Sequence, residues 1–425
     1  MTSSKTSLSD ILQQIEQHRA AACQPRCVVG RRFDTGEPVR LHLADGKIQA
    51  VEPVQAIVAE DGSTSHPGAD WPLIAPGLFD LQINGYAGRW FADPELTPDA
   101  AAAATWPYLQ FGVTRICPTL ITASYQALEQ GLRAIDTACR NDPQLERMIP
   151  GCHLEGPHIS PVDGYRGAHP LSEVRPADWS EFQRLQEASG NRVRLVTLAA
   201  ESPGAVEFIT RATEAGVVIS LGHTAATRDQ ICAAVDAGAR LSTHLGNGAP
   251  ALLRRHPNCI WDQLAEDRLQ ASLIVDGHHL PASVVQTIVR AKGKARCILT
   301  CDASGWAGCA PGEYGNHLGR VEVLEDGRIV PAGQRDLLAG SGAGTDTCVA
   351  MVCDQAGVTL PEAIAMTTSH PARLLGYPDY QMAAGDRADL MLFAPPQPGA
   401  RRLEILATLL AGELLWGKLP PDSSL

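Results

Sequence analysis

Carboxylate and histidine side chains follow apolar segments at intervals through the middle of this chain. The residues in this position are Glu155, His223, His244, Asp276, His278, His279 and Asp302. If the apolar segments are parallel strands of a barrel, their carboxyl ends converge on the face where barrel enzymes carry their active sites. Core packing does not explain a polar cluster drawn from five segments, so the pattern predicts a functional site.

Two histidines and one carboxylate are typical ligands of a catalytic zinc or similar divalent ion with a position open for water. His223 and His244 are one strand-to-strand step apart, and Glu155 adds the carboxylate. Such an ion activates water and polarises a carbonyl group. Asp302 is then placed to carry the water's proton to a leaving nitrogen, and the histidine pair 278–279 offers a candidate to hydrogen-bond the carbonyl oxygen.

The surrounding elements must bring these side chains together. Between residues 74 and 377, apolar segments alternate with Ala-rich helical stretches. The predicted strands are LIAPGLFDLQI, VTRICPTL, MIPGCHLEG, RVRLVTLA, VVISLGHT, LSTHLG, QASLIVDG and RCILTCDA. Eight strand and helix units in about 300 residues favour an α/β fold of the (β/α)8 TIM barrel type over an open doubly wound sheet.

The two chain ends differ from this catalytic barrel. Residues 1–22 have apolar side chains at helical spacing and predict an N-terminal helical extension. Residues 23–73 and 378–425 contain short apolar segments, separated in the first stretch by clear turn signals. Because the termini of a domain often lie close together, these two stretches predict one split β-domain beside the barrel.

The composition argues against several classes of protein. The 425 residues carry a net charge of −12 without a block of Lys or Arg, which argues against a nucleic-acid partner. No apolar stretch approaches the roughly 20 residues needed to cross a bilayer. Polar residues occupy the N-terminal positions where a secretory signal needs its apolar core. We therefore expect a cytoplasmic protein without a membrane partner.

Short motifs run through the chain in a fixed order. They are GCHLEGPHIS, SLGHTAAT, STHLGNGAP, LIVDGHH, LTCDASG, PGEY and LAGSG. In this order they resemble the motifs of the N-acetylglucosamine-6-phosphate deacetylase family, within the amidohydrolase superfamily. The resemblance extends from about Val28 to Leu415. It implies a metal-dependent (β/α)8 barrel beside a small β-sandwich built from both chain ends.

The resemblance also implies roles for individual residues. The implied catalytic set is Glu155, His223 and His244 for the metal, Asp302 as general acid and base, and His279 at the acetamide carbonyl. The implied contacts to an amino sugar phosphate are Ala168, His169, Asn247, Gly248, Arg255, Leu338, Ala339 and Gly340. In this family the phosphate-binding arginine can come from the neighbouring subunit, so the resemblance implies a homodimer.

The end of the first barrel segment departs from many amidohydrolases, which hold a second metal there with a His-x-His pair. This chain has Gln82 and Asn84, which are poor zinc ligands. None of the five lysines ends a predicted barrel strand, which excludes a carboxylated lysine between two metals. We therefore expect one divalent ion per subunit, with zinc as the first choice and iron, cobalt or manganese as alternatives.

Three hypotheses follow for the function. The first is a hydrolase that removes the N-acetyl group from N-acetylglucosamine 6-phosphate, giving glucosamine 6-phosphate and acetate. The loop 246–262 departs from the family pattern at the sugar and phosphate end. The second hypothesis is therefore deacetylation of another N-acyl amino sugar, either N-acetylgalactosamine 6-phosphate or an unphosphorylated N-acyl compound. The third is a non-catalytic barrel that binds a sugar phosphate.

Overall fold

The computed structural model describes residues 7–22, 24–58, 64–65 and 67–423. Eight parallel strands form the central sheet, and their order in the sheet follows their order in the chain. From first to eighth, these barrel strands are Leu78–Ile83, Val113–Ile121, Cys152–Glu155, Val193–Leu198, Val218–Leu221, Leu241–Ser242, Gln270–Leu273 and Cys297–Leu299. The predicted (β/α)8 barrel is confirmed.

The first and eighth barrel strands meet without a continuous hydrogen-bond ladder. In the part of the chain that the structure describes, an isolated bridge between Ile83 and Ala303 joins the two edges. The buried carboxylate of Asp80 spans the same seam. It accepts hydrogen bonds from the backbone nitrogen of Cys301 at 2.8 Å and from the hydroxyl of Thr300. This carboxylate therefore fixes the edge at which the barrel closes.

Helices surround the barrel. They are Pro98–Thr105, Tyr125–Asn141, Pro143–Met148, Trp179–Ala188, Ala205–Glu214, Arg228–Ala237, Cys259–Ala265, Ala282–Lys292, Thr345–Ala356, Leu360–Met366 and Ser369–Leu374, with 3-10 turns at Trp106–Phe111, Leu171–Glu173 and Lys294–Arg296. The helix that starts at Tyr125 shows why they form. Ser124 caps its first turn by accepting a hydrogen bond from the backbone of Ala127. Leu128, Leu132 and Ile135 then lie buried at helical spacing on one face.

Strands from both chain ends share one seven-stranded sheet. Across the sheet they are Glu413–Gly417, Ile405–Leu410, Leu390–Phe393, Leu73–Pro76, Cys27–Arg32, Pro38–Ala44 and Lys47–Pro53, and a separate pair is formed by Ile57–Val58 and Thr64–Ser65. The predicted strand LIAPGLFDLQI thus divides between this sheet and the barrel. The division falls at Gly77, where a Cβ atom would lie 2.2 Å from the side chain of Thr114.

The N-terminal helix begins at Leu8 and ends at Ala21. Residues 1–6 of the predicted extension lie outside the described residues. Ile11 and Ile15 are buried in the main core, and Arg19 forms a 2.5 Å ion pair with Asp142. The helix is therefore packed against the rest of the chain. Across the described ranges, the structure contains no helix with the length and apolar character that a membrane span requires.

A small antiparallel sheet follows the eighth barrel strand, and we call it the flap. Its strands are Gly312–Asn316, Gly319–Val323 and Ile329–Pro331. The ring of Tyr314 stacks on that of Trp306 at a centroid distance of 5.2 Å. The sequence analysis did not predict the flap. A second two-stranded unit, Gly85–Tyr86 with Arg89–Trp90, follows the first barrel strand.

Candidate active site

The carboxyl ends of the barrel strands surround a cavity of about 500 Å³. The sequence-predicted site residues that line it are Asn84, Glu155, Ala168, His169, His223, His244, Asn247, Gly248, His278, His279, Asp302, Leu338, Ala339 and Gly340. Gln82, Arg255 and Asp276 are outside this lining. The barrel therefore brings together residues that are far apart in the sequence, as expected for the active-site face of this architecture.

Glu155, His223 and His244, here called the metal triad, place three potential ligand atoms within 4.8 Å of one another. The Oε1 atom of Glu155 lies 3.3 Å from Nε2 of His223 and 3.0 Å from Nε2 of His244. All three side chains are buried. Among the described residues, no second group of this kind is present. Two imidazoles and one carboxylate are a common donor set for zinc and similar divalent ions.

The hydrogen bonds around the metal triad fit a bound cation. Nδ1 of His223 lies 2.9 Å from the carbonyl oxygen of Tyr165. Because a carbonyl oxygen only accepts, Nδ1 carries a ring proton, and Nε2 is the nitrogen that faces Glu155. Burial acts to raise the pKa of Glu155, but its interactions with His223 and His244 outweigh burial and hold that pKa well below its usual value. The ionised carboxylate and the two Nε2 atoms converge on one point, where they could bind a divalent cation.

Gln82 and Asn84 lie at the end of the first barrel strand and contact the carboxylates of Glu155 and Asp302. Nε2 of Gln82 donates a 2.8 Å hydrogen bond to Oε1 of Glu155. Nδ2 of Asn84 donates a 2.8 Å hydrogen bond to Oδ1 of Asp302. Burial, helped by the negative charge of Glu155, raises the pKa of Asp302 to about 8. A carboxyl group with this pKa can both accept and release a proton near neutral pH.

Three of these residues have a backbone conformation that side chains seldom adopt. The φ angle is +49° at His223, +31° at His244 and +48° at Asp302. Residues other than glycine are strained in this left-handed region, and such strain concentrates at functional sites. The surrounding structure holds each conformation in place, as where the backbone nitrogen of Ser341 donates to the carbonyl oxygen of Asp302 at 2.9 Å.

Arg255 lies away from the cavity of its own chain. It is exposed, and its side chain forms no ion pair with any residue in the described ranges. Two exposed apolar side chains lie nearby in the sequence, Leu252 in the same loop at 92% and Trp261 in the following helix at 53%. Within one chain, Arg255 is therefore not placed against a ligand in the cavity.

Two tryptophans that the sequence analysis did not select also line the cavity. The rings of Trp90 and Trp306 meet edge to face, with centroids 6.3 Å apart. Trp306 directly follows the motif LTCDASG, and that position is a signal by which it could have been found. These rings give the cavity an apolar wall between the barrel and the flap, suited to one face of a small ligand.

Comparison with known proteins gives a family match. The model of the amidohydrolase family matches residues 73–415. N-acetylgalactosamine-6-phosphate deacetylase from Escherichia coli O157:H7 is 34% identical over 338 residues, covering 79% of this chain and 85% of that relative. N-acetylglucosamine-6-phosphate deacetylase from Bos taurus is 33% identical over 355 residues, covering 81% of this chain and 83% of the bovine protein.

Solved structures show the same architecture. A mutant of N-acetyl-D-glucosamine-6-phosphate deacetylase from Mycobacterium smegmatis, in complex with N-acetyl-D-glucosamine-6-phosphate, superimposes with a TM-score of 0.79. The two chains are 30% identical, and the match covers 92% of this chain and 99% of the mycobacterial one.

Proposed function

Because the chain belongs to the amidohydrolase family, we propose that it is a metal-dependent hydrolase that removes the acetyl group from N-acetylglucosamine 6-phosphate. The products are glucosamine 6-phosphate and acetate. The observation that carries the proposal is the buried metal triad beside Asp302 in a cavity at the carboxyl ends of the barrel strands. The bovine relative and the mycobacterial structure, whose names include this substrate, support its choice.

The reaction needs a nucleophile, a proton carrier and a group to stabilise the carbonyl oxygen. Glu155, His223 and His244 would hold a divalent cation, which would make water a better nucleophile and polarise the amide carbonyl. Asp302 accepts the proton of the attacking water and donates it to the leaving nitrogen. Asn84 occupies Oδ1 of Asp302, which leaves Oδ2 for this transfer. His279 hydrogen-bonds the carbonyl oxygen as negative charge develops there.

The same proposal covers the finer properties of the site. The loop residues that line the cavity hold the sugar, and Arg255 of the partner subunit binds the phosphate in a homodimer. The exposed Leu252 in the loop of Arg255 and the exposed Trp261 in the helix after it support an interface there. The metal is zinc, which this donor set favours, and the compartment is the cytoplasm.

N-acetylgalactosamine 6-phosphate is a second candidate substrate. The Escherichia coli relative named for this substrate is 34% identical to the chain. The two sugars differ at one hydroxyl, so the metal triad, Asp302 and His279 would serve both reactions unchanged. The residues of the cavity wall would therefore determine which of the two sugars is preferred.

The proposal is tested by measuring amine release from N-acetylglucosamine 6-phosphate, N-acetylgalactosamine 6-phosphate and unphosphorylated N-acetylglucosamine. The purified protein is assayed as isolated, after chelation, and after zinc reconstitution. We expect turnover of the first substrate to exceed that of the others, to disappear with the metal and to return with zinc. A preference for the second substrate would select the alternative, and tight binding without turnover would favour a non-catalytic barrel.

A further inference from the structure

Asp276 is a buried acid to which the mechanism above gives no role. It follows the seventh barrel strand and is 4% exposed. A buried carboxylate is costly unless hydrogen bonds satisfy it. Its neighbours therefore indicate what it does.

The two oxygens of Asp276 accept four hydrogen bonds. Oδ1 accepts from the backbone nitrogens of His278 at 2.8 Å and His279 at 2.9 Å. Oδ2 accepts from the hydroxyl of Ser341 at 2.9 Å and lies 2.8 Å from Nδ1 of His279. Burial acts to raise the pKa of Asp276, but the hydrogen bond and charge of His279 outweigh burial and hold that pKa below its usual value. The carboxylate is therefore an ionised acceptor.

An ionised carboxylate determines which nitrogen of His279 is protonated. Because Oδ2 of Asp276 can only accept, Nδ1 of His279 carries a proton. His279 also lines the main cavity. Nε2 is then the ring nitrogen left for a ligand.

Ser341 links this pair to the general acid and base. Its hydroxyl donates to Asp276, and its backbone nitrogen donates to the carbonyl oxygen of Asp302 at 2.9 Å. Ser341 also directly follows the cavity wall at 338–340. One serine therefore holds the ends of the seventh and eighth barrel strands in a fixed relation.

We propose that Asp276, held by Ser341, is a positioning residue whose negative charge keeps the His279 ring doubly protonated, with Nδ1–H donated to Asp276 and Nε2–H directed toward the carbonyl oxygen of the substrate. A hydrogen bond from the charged ring to the developing oxyanion is stronger than one from a neutral ring. This inference rests on the proposed function, since the role of His279 belongs to it.

The first test does not need a substrate. In Asp276→Asn, the two backbone N–H donors keep the amide oxygen facing them, so the amide NH₂ faces Nδ1 of His279 and can only donate. The ring then loses the charge that held its second proton, and the one remaining proton lies on Nε2. With ¹⁵N-labelled histidine, we expect both ring nitrogens of His279 to be protonated in the wild type and Nε2 alone in Asp276→Asn, with the signals assigned by their loss in His279→Gln. A singly protonated His279 ring in the wild type would overturn the proposal.

The second test asks whether Asp276 acts through His279 during turnover. We expect Asp276→Asn to lower kcat by about 10- to 100-fold, with KM within about threefold and the metal content unchanged. In a His279→Ala background, the same substitution should change kcat by less than about twofold. Losses that multiply in the double variant would show that Asp276 acts independently of His279, and would contradict the inference.

Two further variants keep the test decisive. Ser341→Ala removes one hydrogen bond from Asp276, and it should lower kcat by about threefold in the wild type and not in His279→Ala. If Asp276→Asn does not fold, Ser341→Ala takes its place in the comparison of the wild-type and His279→Ala backgrounds. Asp346→Asn changes another buried carboxylate and is the matched control, expected to leave kcat within about twofold. If the wild type hydrolyses none of the sugars, the proposed function fails, while the histidine spectra still decide the role of Asp276.

Discussion

Single residues acquire their roles in this site from their surroundings, as the two carboxylates Glu155 and Asp302 show. Both are buried, but Glu155 interacts with two histidines that hold its pKa low. Asp302 instead lies in the field of the negative charge of Glu155, and its pKa rises. Environments that separate the pKa values of two carboxyl groups are a common way to assign distinct roles in catalysis. The separation here suits a metal ligand and a proton carrier.

Asp302→Asn should abolish most turnover and leave the protein otherwise intact. The amide can still accept the hydrogen bond from Asn84, but it cannot accept the proton of the attacking water. We expect kcat to fall by about 10³-fold, with metal content and thermal stability close to those of the wild type. Steady-state kinetics on the preferred substrate, with metal analysis of the same samples, measure this.

Asp336→Asn is the matched control for that variant. Asp336 is exposed and also lines the cavity. Its substitution therefore removes a carboxyl group from the cavity lining and leaves Asp302, the proton carrier, in place. We expect kcat within about threefold of the wild type. Substantial turnover by Asp302→Asn would remove Asp302 from the mechanism.

The buried side chain of His158 makes the free energy of unfolding depend on pH. It is 4% exposed and packs edge-on against Phe208, with ring centroids 5.3 Å apart. Burial lowers the pKa of His158, so the unfolded chain binds this proton at a higher pH than the folded chain does. The free energy of unfolding therefore decreases as the pH falls below about 6.5.

His158→Leu should remove this contribution. Relative to the wild type, the free energy of unfolding of the variant should rise as the pH is lowered from about 7.5 to about 5. Denaturant titrations across this range measure the difference between the two proteins. A difference that stays constant with pH would mean that His158 does not titrate in this way.

At the scale of elements, one buried lysine joins its helix to the stretch that precedes the seventh barrel strand. Nζ of Lys292 donates to the carbonyl oxygens of Gln263 at 2.6 Å, Glu266 at 2.8 Å and Leu269 at 3.0 Å. Lys292 ends a helix, and the three carbonyls lie between the end of the loop 246–262 and the start of the seventh barrel strand. Burial lowers the pKa of Lys292 to about 8, so the ammonium form prevails at pH 7. This contact fixes the approach to the strand that carries Asp276.

Lys292→Met should therefore be strongly destabilising, since it leaves buried carbonyl groups without a donor. We expect a loss of about 3 kcal/mol in the free energy of unfolding. Lys294→Met is the matched control, because Lys294 pairs with Glu362 at the surface. Its loss should stay below about 1 kcal/mol. Equal losses in the two variants, measured by denaturant titration, would contradict a special role for the buried ammonium group.

The barrel strands could be predicted because they are short, apolar and followed by polar residues, as at Glu155 and Asp302. The flap could not be predicted in this way. Its first strand, Gly312–Asn316, is mostly exposed and lacks the apolar alternation that identifies a strand. The continuous apolar run around Gly77 likewise does not show where one sheet ends and the next begins, because both parts are buried.

The sequence predicts which residues belong to the site better than it predicts how those residues are arranged. The left-handed conformations of His223, His244 and Asp302 are imposed by tertiary contacts, and local sequence does not encode them. Asp276 similarly contacts Ser341, which is 65 positions away in the sequence. The order of the motifs predicts which residues form the site, while the hydrogen bonds between strand ends show how those residues act on one another.

At the scale of the whole molecule, the proposed dimer makes each active site depend on two chains. Arg255 is outside the cavity of its own chain, in a loop that also exposes Leu252. A guanidinium group binds phosphate in a bidentate manner. Arg255→Ala should therefore raise KM for a phosphorylated sugar by more than about tenfold and leave KM for its unphosphorylated analogue unchanged. Arg254→Ala, one position earlier and also exposed, is the matched control and should change neither value.

Mixed dimers test whether Arg255 acts in the partner's site. Two differently tagged chains, one with Arg255→Ala and one with Asp302→Asn, are co-expressed and the hybrid is isolated with both tags. If Arg255 acts across the interface, one of the two sites combines an intact Asp302 with an intact Arg255 from the other chain, and the hybrid should recover about half of wild-type turnover at low substrate concentration. If Arg255 acts within its own chain, neither site is complete and the hybrid stays as inactive as its parents. Failure to isolate any hybrid, with both parents eluting as monomers, would contradict the homodimer itself.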